Sequence, residues 1–264
     1  MVHRARKRFG QNFLHDTRVL QRIADATGVG PEDTVIEIGP GRGALTEFLL
    51  ETGARVTAIE LDRDLPPILR ARFFSQPEGR FSIIEGDALR TDFAALHPES
   101  RPLHLVGNLP YNISTPLIFH LLRFREHIGA MHFMLQKEVV DRLGAEPGNG
   151  DYGRLSVMVQ QQCHVEPLFI VPPGAFSPQP KVDSAVVRLV PRRDNAVDAV
   201  DLDRLGTLVR LAFAQRRKTL RNNLKGHVDL AVLEHTGIDG SRRPETLSVE
   251  DYVALAGAIQ TIHH

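Results

Sequence analysis

The sequence predicts an α/β protein in which a largely parallel sheet is followed by a small all-helical domain. Short runs rich in valine and isoleucine alternate with segments of helical spacing from residue 34 to residue 190, a pattern typical of strands joined by crossover helices. Beyond that point the apolar residues keep helical spacing only. The chain has 264 residues, which is enough for one large domain and a small second one.

Seven runs have the composition of strands, and seven is a reasonable count for one sheet. The predicted strands are residues 34–38, 55–60, 81–85, 103–106, 130–135, 155–160 and 185–190. Helices that pack on the sheet are predicted between them at 44–50, 65–73, 116–122 and 138–143. One more helix precedes the first strand, with Asp16 or Thr17 as its N-cap.

A polar, turn-rich segment at residues 191–198 marks the predicted domain boundary. We therefore assign residues 1–192 to the first domain and residues 193–264 to the second. In the second domain, apolar spacing predicts helices at 202–213, 220–224 and 253–259. Residues 146–153, which contain several glycine and asparagine residues, are predicted to form a loop in the first domain.

Composition is that of a folded soluble protein, with 42% hydrophobic and 24% charged residues. The one cysteine cannot form an internal disulfide, and the sequence has neither a long uncharged apolar run nor a secretory signal pattern. We therefore expect a reducing, cytoplasmic location. The 12 histidines show no ligand spacing with cysteine or carboxylate residues, so we expect no metal site.

The formal net charge is +0, so total charge indicates no partner, but the distribution is uneven. Residues 4–8 hold four cationic side chains, and residues 204–228 hold seven with no acidic residue among them. Such a cluster is either a solvated helix face or a surface for a polyanion.

Three glycines, Gly39, Gly41 and Gly43, lie between the first predicted strand and its helix. Glycine permits positive φ and lets a ligand approach the backbone. The next two strands lead into Glu60 and Asp87, and ligands of open α/β sheets bind at such strand ends. These features predict an adenosine-shaped site, with ribose on Glu60 and adenine on Asp87. The alternatives are a dinucleotide or phosphate turn, which the G-x-G-x-G spacing disfavours, and two acidic helix caps.

The fourth predicted strand is followed by Asn108, Leu109, Pro110 and Tyr111. This tetrad resembles the N-[IL]-P-[YF] signature of S-adenosylmethionine-dependent methyltransferases that act on adenine amines. An adenine amine is a poor nucleophile because its lone pair is delocalised into the ring. The Asn108 amide oxygen and a backbone carbonyl at Leu109 or Pro110 are suitable acceptors for its protons, and Tyr111 offers a face for stacking. A simple turn is the alternative interpretation.

A second aromatic residue for the base is predicted at Phe176, in a proline-rich segment just before the last predicted strand. Stacking contributes about 1–3 kcal/mol per base, enough to help hold an unstacked adenine. The alternative is a proline-rich linker.

Taken together, the motifs resemble the ribosomal RNA adenine dimethyltransferase family over nearly the whole chain. The matching segments are 11–14, 37–46, 60, 86–89, 108–111, 135–139, 176–184 and 213–224. The resemblance implies a Rossmann-like methyltransferase sheet, S-adenosyl-L-methionine as cofactor, and a cofactor covered by segment 11–14. The implied cofactor residues are Gln11, Asn12, Leu14, Gly39, Gly41, Gly43, Glu60, Leu61, Asp87, Ala88 and Asn108, and the implied catalytic residues are Asn108, Leu109, Pro110, Tyr111 and Phe176.

The basic segment at residues 215–222 is similar to the branch of the family that modifies small-subunit, 16S-type ribosomal RNA. This resemblance implies dimethylation of the N6 amines of two adjacent adenosines near the 3′ end of that RNA. The expected partner is a pre-ribosomal 30S-type particle, bound by a monomer without metal or membrane. RNA binding is assigned to the second domain through Arg216, Arg217, Lys218 and Arg221.

Three other functions remain open from the sequence. They are a role mainly as an RNA-binding assembly factor of the ribosome, methylation of large-subunit RNA, and methylation of adenine in DNA. The C-terminal helical segment disfavours the second, because the large-subunit branch generally has a different helical lobe. It is also small for a DNA target-recognition region.

Overall fold

The computed structural model describes residues 12–96, 101–193 and 200–259. The chain divides into two compact units: residues 1–140 with 166–191, and residues 141–165 with 192–264. The second unit resumes at Arg192, one residue before the predicted start of the second domain. It also takes in residues 141–165, which the sequence analysis placed in the first domain.

The large sheet has seven strands, and all of its residues belong to unit 1 except residues 163–165. In chain order its strands are β2 (Thr34–Ile38), β3 (Arg55–Glu60), β4 (Phe81–Glu85), β5 (Leu103–Asn108), β6 (Ile128–Gln136), β7 (Cys163–Val171) and β9 (Ser184–Pro191). A separate two-stranded sheet pairs β1 (Phe13–Leu14) with β8 (Phe176–Ser177) in antiparallel fashion. The large sheet has the order β4-β3-β2-β5-β6-β9-β7. The α/β fold class predicted from the sequence is confirmed.

Parallel pairing joins β4, β3, β2, β5 and β6, and β9 runs antiparallel to β6. The helices of this part of the chain are α1 (Thr17–Thr27), α2 (Ala44–Glu51), α3 (Pro66–Arg72), α4 (Ser114–Leu122) and α5 (Lys137–Gly144). Helix α1 begins where predicted, because the Asp16 side chain accepts hydrogen bonds from the backbone N–H groups of Arg18 and Val19. Its apolar face, which includes Leu20 and Ile23, packs in the core.

The strand predicted at residues 155–160 is wrong: this segment is α6 (Arg154–Gln160). A short apolar run that is buried on all sides has no periodicity to separate helix from strand. Four successive residues of α6, from Ser156 to Val159, are indeed buried. The seventh strand is instead β7, an edge strand. Its exposed residues do not alternate regularly with buried ones, and it contains Pro167, so its sequence lacks the usual strand pattern.

Unit 2 is helical over most of its described length. Besides α6 it contains α7 (Leu202–Ala212), α8 (Leu220–Leu224), α9 (Ala231–His235) and α10 (Val249–Ala258). Helix α9 was not predicted from the sequence. Tyr152, Phe213 and Tyr252 form a chain of ring contacts in the core of this unit, with centroid separations of 6.4 and 5.9 Å.

Candidate active site

The strand order creates a crevice between the carboxyl ends of β2 and β5. From β2 the chain continues to β3 on one side, whereas from β5 it continues to β6 on the other, so the two connections diverge. In open α/β sheets this divergence opens the ligand-binding crevice. A cavity of about 770 Å³ lies here, lined by residues that follow β2, β3, β4 and β5.

The glycine turn after β2 adopts the conformation that only glycine takes easily. Gly39, Gly41 and Gly43 have φ angles of 69°, 58° and 81°. A Cβ atom on Gly41 would also lie 3.1 Å from the Phe13 ring of β1, which packs over the turn. Any side chain at Gly41 would therefore be strained and would crowd this ring, so glycine here lets Phe13 pack against the turn.

Glu60, at the end of β3, presents a buried carboxylate to the cavity. Its Oε2 accepts a hydrogen bond from Gly41 N at 3.3 Å, and its Oε1 accepts one from Asp62 N at 2.8 Å. Burial raises the pKa of this carboxyl, and these backbone donors lower it in part. A carboxylate has about four acceptor positions, so Glu60 can keep both bonds and still accept from the hydroxyl groups of a ligand.

Asp87 lines the same cavity after β4 and also caps a 3₁₀ turn. Its Oδ1 accepts a hydrogen bond from Leu89 N at 2.9 Å, at the start of the turn Ala88–Arg90. The structure therefore combines the capping alternative with the predicted place at the cavity. Ala88 and the half-exposed Leu61 line the cavity beside the two acidic residues.

Glu37 is a buried acid of the cavity to which the sequence analysis gave no role. It is 2% exposed, and its Oε2 accepts a hydrogen bond of 2.5 Å from the Thr46 hydroxyl of α2. Burial raises the pKa of the Glu37 carboxyl to about 7. The available signal was a charged residue inside the apolar strand β2, two residues before the glycine turn.

Asn108 closes the opposite side of the cavity at the end of β5. Its Nδ2 donates a hydrogen bond of 2.9 Å to the backbone carbonyl of Asn12. A carbonyl can only accept, so this contact fixes the orientation of the amide and leaves Oδ1 as the acceptor that Asn108 contributes to the cavity. Glycine is required at the preceding position, Gly107, because β2 lies so close that a Cβ there would be 2.6 Å from the Ile38 carbonyl oxygen.

Leu109, Pro110 and Tyr111 follow Asn108 along the cavity wall. The Leu109 N–H donates to the carbonyl of Met134 at 3.1 Å, which ties the turn to β6. The Pro110 carbonyl accepts from Ile113 N at 3.1 Å and, with two lone pairs, can accept from a second donor. The Tyr111 side chain is partly exposed, so part of its ring is accessible to a ligand.

The structure does not bring Phe176 to the cavity. Its ring is 2% exposed and packs in the hydrophobic core, where β8 pairs Phe176 with Leu14. The next two residues, Ser177 and Pro178, line the cavity instead. Asn12 and Leu14 also line it, whereas Gln11 lies outside the described residues.

The four predicted RNA-binding residues lie in unit 2, and all four are exposed. Arg216 differs from the others, since its guanidinium donates to the backbone carbonyls of Gly150 at 2.7 Å and Tyr152 at 2.9 Å. It therefore ties down the loop at residues 146–153. Arg217, Lys218 and Arg221 follow on the segment that leads into and begins α8.

Within residues 12–96, 101–193 and 200–259, no three histidine, cysteine or acidic side chains are grouped so as to hold a metal ion. Over the same ranges, no helix has the length and apolar character needed to cross a membrane.

The doubly wound sheet, the glycine turn and the Asn-Leu-Pro-Tyr corner together define a protein of the Rossmann-like methyltransferase class. A family model described as ribosomal RNA adenine dimethylase matches residues 2–261. The chain belongs to this family.

Individual relatives agree with this assignment. A protein of Pseudomonas syringae pv. tomato, named ribosomal RNA small subunit methyltransferase A, is 58% identical over 97% of this chain and 95% of its own length. A protein of the same name from Hahella chejuensis is 56% identical over 96% and 92%. The crystal structure of a dimethyladenosine transferase from Plasmodium falciparum has a TM-score of 0.79 and 30% identity over 92% of this chain and 95% of its own. The 23S rRNA methyltransferase ErmE has a TM-score of 0.69 and 28% identity over 95% and 100%.

Proposed function

We propose that this protein uses S-adenosyl-L-methionine to dimethylate the N6 amines of two adjacent adenosines near the 3′ end of small-subunit ribosomal RNA. The observation that carries the proposal is the Asn108 amide, which the Asn12 carbonyl orients at the wall of a cavity that also contains the glycine turn and Glu60. This places acceptors for an amine beside a site suited to an adenosyl ligand.

The residues of the glycine-turn side fit the cofactor. Gly39 and Gly41 line the cavity, and Glu60 retains acceptor positions for a ribose diol. Asp87 keeps one carboxylate oxygen beyond its contact to Leu89 for the adenine amine. The buried acids near the turn, Glu37 among them, favour a cationic ligand when ionised. When bound, S-adenosylmethionine supplies an electrophilic methyl group carried on a positively charged sulfur.

The Asn108 side of the cavity holds the target base. Asn108 Oδ1 and the Pro110 carbonyl accept hydrogen bonds from the N–H groups of the adenine amine, which favours a tetrahedral nitrogen whose lone pair is directed at the methyl group. As the N–C bond forms, the C–S bond breaks, and the methylated nitrogen then loses a proton to solvent. Tyr111 stacks on the base. Because the methyl donor is already activated, these residues act by positioning, and positioning alone can supply several kcal/mol of the barrier.

Small-subunit RNA is the proposed substrate because relatives more than half identical to this chain are named small-subunit methyltransferases. The ErmE structure, named for 23S RNA, is 28% identical. We further propose that the substrate is a pre-ribosomal 30S-type particle, bound by a monomer of this protein in the cytoplasm, where that particle is assembled.

RNA docking is proposed to rest on unit 2. Replacing Arg217, Lys218 and Arg221 with alanine is expected to weaken particle binding and to reduce its salt dependence, because each lost phosphate contact lowers the salt slope by about one. Arg216→Ala is expected also to destabilise unit 2, since it removes both bonds to the loop. Arg70→Gln, which removes an exposed cation paired with Glu85 in unit 1, is the control.

The test of the proposed function is methylation of small-subunit particles that lack these modifications. We expect labelled methyl groups in the N6 amines of two adjacent adenosines, located by mass mapping, and no label with Asn108→Ala. That variant is expected to retain cofactor binding. Label in large-subunit RNA, or none in adenine amines, would overturn the proposal.

A role in ribosome assembly is the second candidate, favoured by the exposed cations of unit 2. Cells that carry only the Asn108→Ala protein distinguish an assembly role from catalysis. Normal maturation of the small subunit in those cells would show that assembly is the selected activity, whereas defective maturation would assign it to methyl transfer.

A further inference from the structure

Two serine side chains hold Tyr111 at its opposite ends. The Ser114 hydroxyl donates a hydrogen bond of 3.2 Å to the Tyr111 backbone carbonyl. The phenolic oxygen of Tyr111 lies 3.0 Å from Ser184 Oγ, in a hydrogen bond for which either hydroxyl can be the donor. The backbone and the tip of this side chain are therefore both fixed.

The sheet topology brings Ser184 to this place. Ser184 is the first residue of β9, which runs antiparallel to β6 and pairs Ser184 with Gln136 at the end of that strand. The beginning of β9 thus lies at the same sheet edge as the carboxyl ends of the parallel strands, where Tyr111 follows β5. Ser184 is only 1% exposed, so its hydroxyl is held in the packed protein and not by solvent.

We propose that Ser184 is a positioning residue for the target adenine, acting through the hydroxyl of Tyr111; this rests on the proposed function. A tyrosine ring turns about two side-chain bonds, and a base stacked on it turns with it. A hydrogen bond at the phenolic oxygen restricts rotation about the Cα–Cβ bond, which would otherwise carry that oxygen and the whole ring away from Ser184. The phenolic oxygen lies in the plane of the ring, at the ring edge, so this contact leaves the ring faces available for the base.

The chemistry requires this restriction because transfer depends on alignment of the amine nitrogen with the methyl group. Small misplacements of a reacting group are costly even when the residue responsible lies away from the reacting atoms. Binding of the cofactor uses the other side of the cavity and does not involve Tyr111. Loss of the Ser184 hydroxyl should therefore lower the rate of transfer without changing cofactor affinity.

The experiment is a double-mutant cycle on methyl transfer to small-subunit particles, with Ser184→Ala, Tyr111→Phe and the double variant. We expect each single variant to lower kcat about three- to tenfold, the effect of one hydrogen bond. The double variant should be no slower than the slower single variant, because both changes remove the same bond. The KM for particles and the cofactor Kd should stay within about twofold of wild type, since neither site loses a direct contact.

Ser156→Ala is the matched control. Ser156 is also buried and hydrogen-bonded, to the Arg142 carbonyl and Gly153 N–H of unit 2, so its loss reports on general destabilisation. Unchanged kcat in Ser184→Ala, or single effects that multiply in the double variant, would overturn the inference. If Ser184→Ala does not fold, Tyr111→Phe decides alone, and unchanged kcat in it overturns the inference. A wild-type protein that transfers no methyl overturns the proposed function and this inference with it.

Discussion

The two sides of the cavity are held by contacts of different reach along the chain. On the glycine-turn side, Glu60 and Asp87 accept hydrogen bonds from residues two to 19 positions away, and Glu37 accepts one from nine positions away. On the base side, Asn108 is held by a residue 96 positions away and Tyr111 by one 73 positions away. The hydrogen bonds of the acids on the glycine-turn side are thus local, whereas those that hold Asn108 and Tyr111 come from distant segments.

This difference has a physical cause. The hydrogen bonds of the glycine-turn side need only this turn, the helix after it and the adjacent strand ends, which lie side by side as soon as β2, β3 and β4 pair. The base side must meet β1, β6 and β9, which come from both ends of unit 1. We therefore expect damage to distant segments to affect methyl transfer first and cofactor binding last.

The largest expected effect is a loss of stability when Phe176 is replaced. Phe176 is buried and pairs with Leu14 of β1, the strand next to Asn12, which holds Asn108. Phe176→Ala should lower the free energy of unfolding by about 3–5 kcal/mol, because it opens a cavity in the core. Urea unfolding measures this. Phe74→Ala, at a ring that is 84% exposed, is the control and should change stability by less than about 0.5 kcal/mol.

The same position tests the stacking role that the sequence predicted. Phe176→Leu keeps most of the buried volume but removes the aromatic face, so on the observed packing it should keep methyl transfer near the wild-type rate. A variant that folds normally and loses transfer would instead show that the ring leaves the core to contact the base.

The second effect concerns pH and the glycine-turn side. The Glu37 carboxyl has its pKa raised from 4.5 to about 7, so the folded protein holds this proton more tightly than the unfolded chain. Its contribution to stability is therefore full below about pH 4.5 and is lost as the pH rises through about 7, by up to roughly 3 kcal/mol. Glu37→Gln should lack this decline. Parallel stability curves for the two proteins between pH 4.5 and 7.5 would contradict the assignment.

The smallest expected effect is a loss of cofactor affinity when Glu60 is replaced. Glu60→Gln replaces an oxygen that faces backbone N–H groups with an amide and should weaken cofactor binding by about 1.5–3 kcal/mol, or roughly 10- to 100-fold in Kd. Calorimetric titration measures this. Glu85→Gln is a matched control, since Glu85 pairs in register with Glu60 on β4 but is exposed and bonded to Arg70. An equal loss of cofactor affinity in both variants would show that Glu60 does not bind the cofactor.

The reach of these contacts also explains what sequence reasoning found and missed. The sequence predicts that the glycine turn, Glu60 and Asp87 lie together, because each stands at or just after the end of a strand, and all three do line one cavity. The Asn-Leu-Pro-Tyr corner was identified as a motif, but its supports at Asn12 and Ser184 depend on tertiary pairing. In the fold, the sequence does not predict β7 because this edge strand carries exposed residues and a proline, and it predicts a strand in place of α6 because that helix is short and buried.

The pairing of β1 with β8 has a consequence for the newborn polypeptide. Phe13, which covers the glycine turn, belongs to a strand that pairs with residues more than 160 positions further along the chain. Those residues leave the ribosome much later than Phe13 does. Until that stretch has been translated, the emerging chain can form the inner strands of the sheet while its cavity lacks this cover. A protein that modifies the translation machinery is in this way completed only when its own synthesis is well advanced.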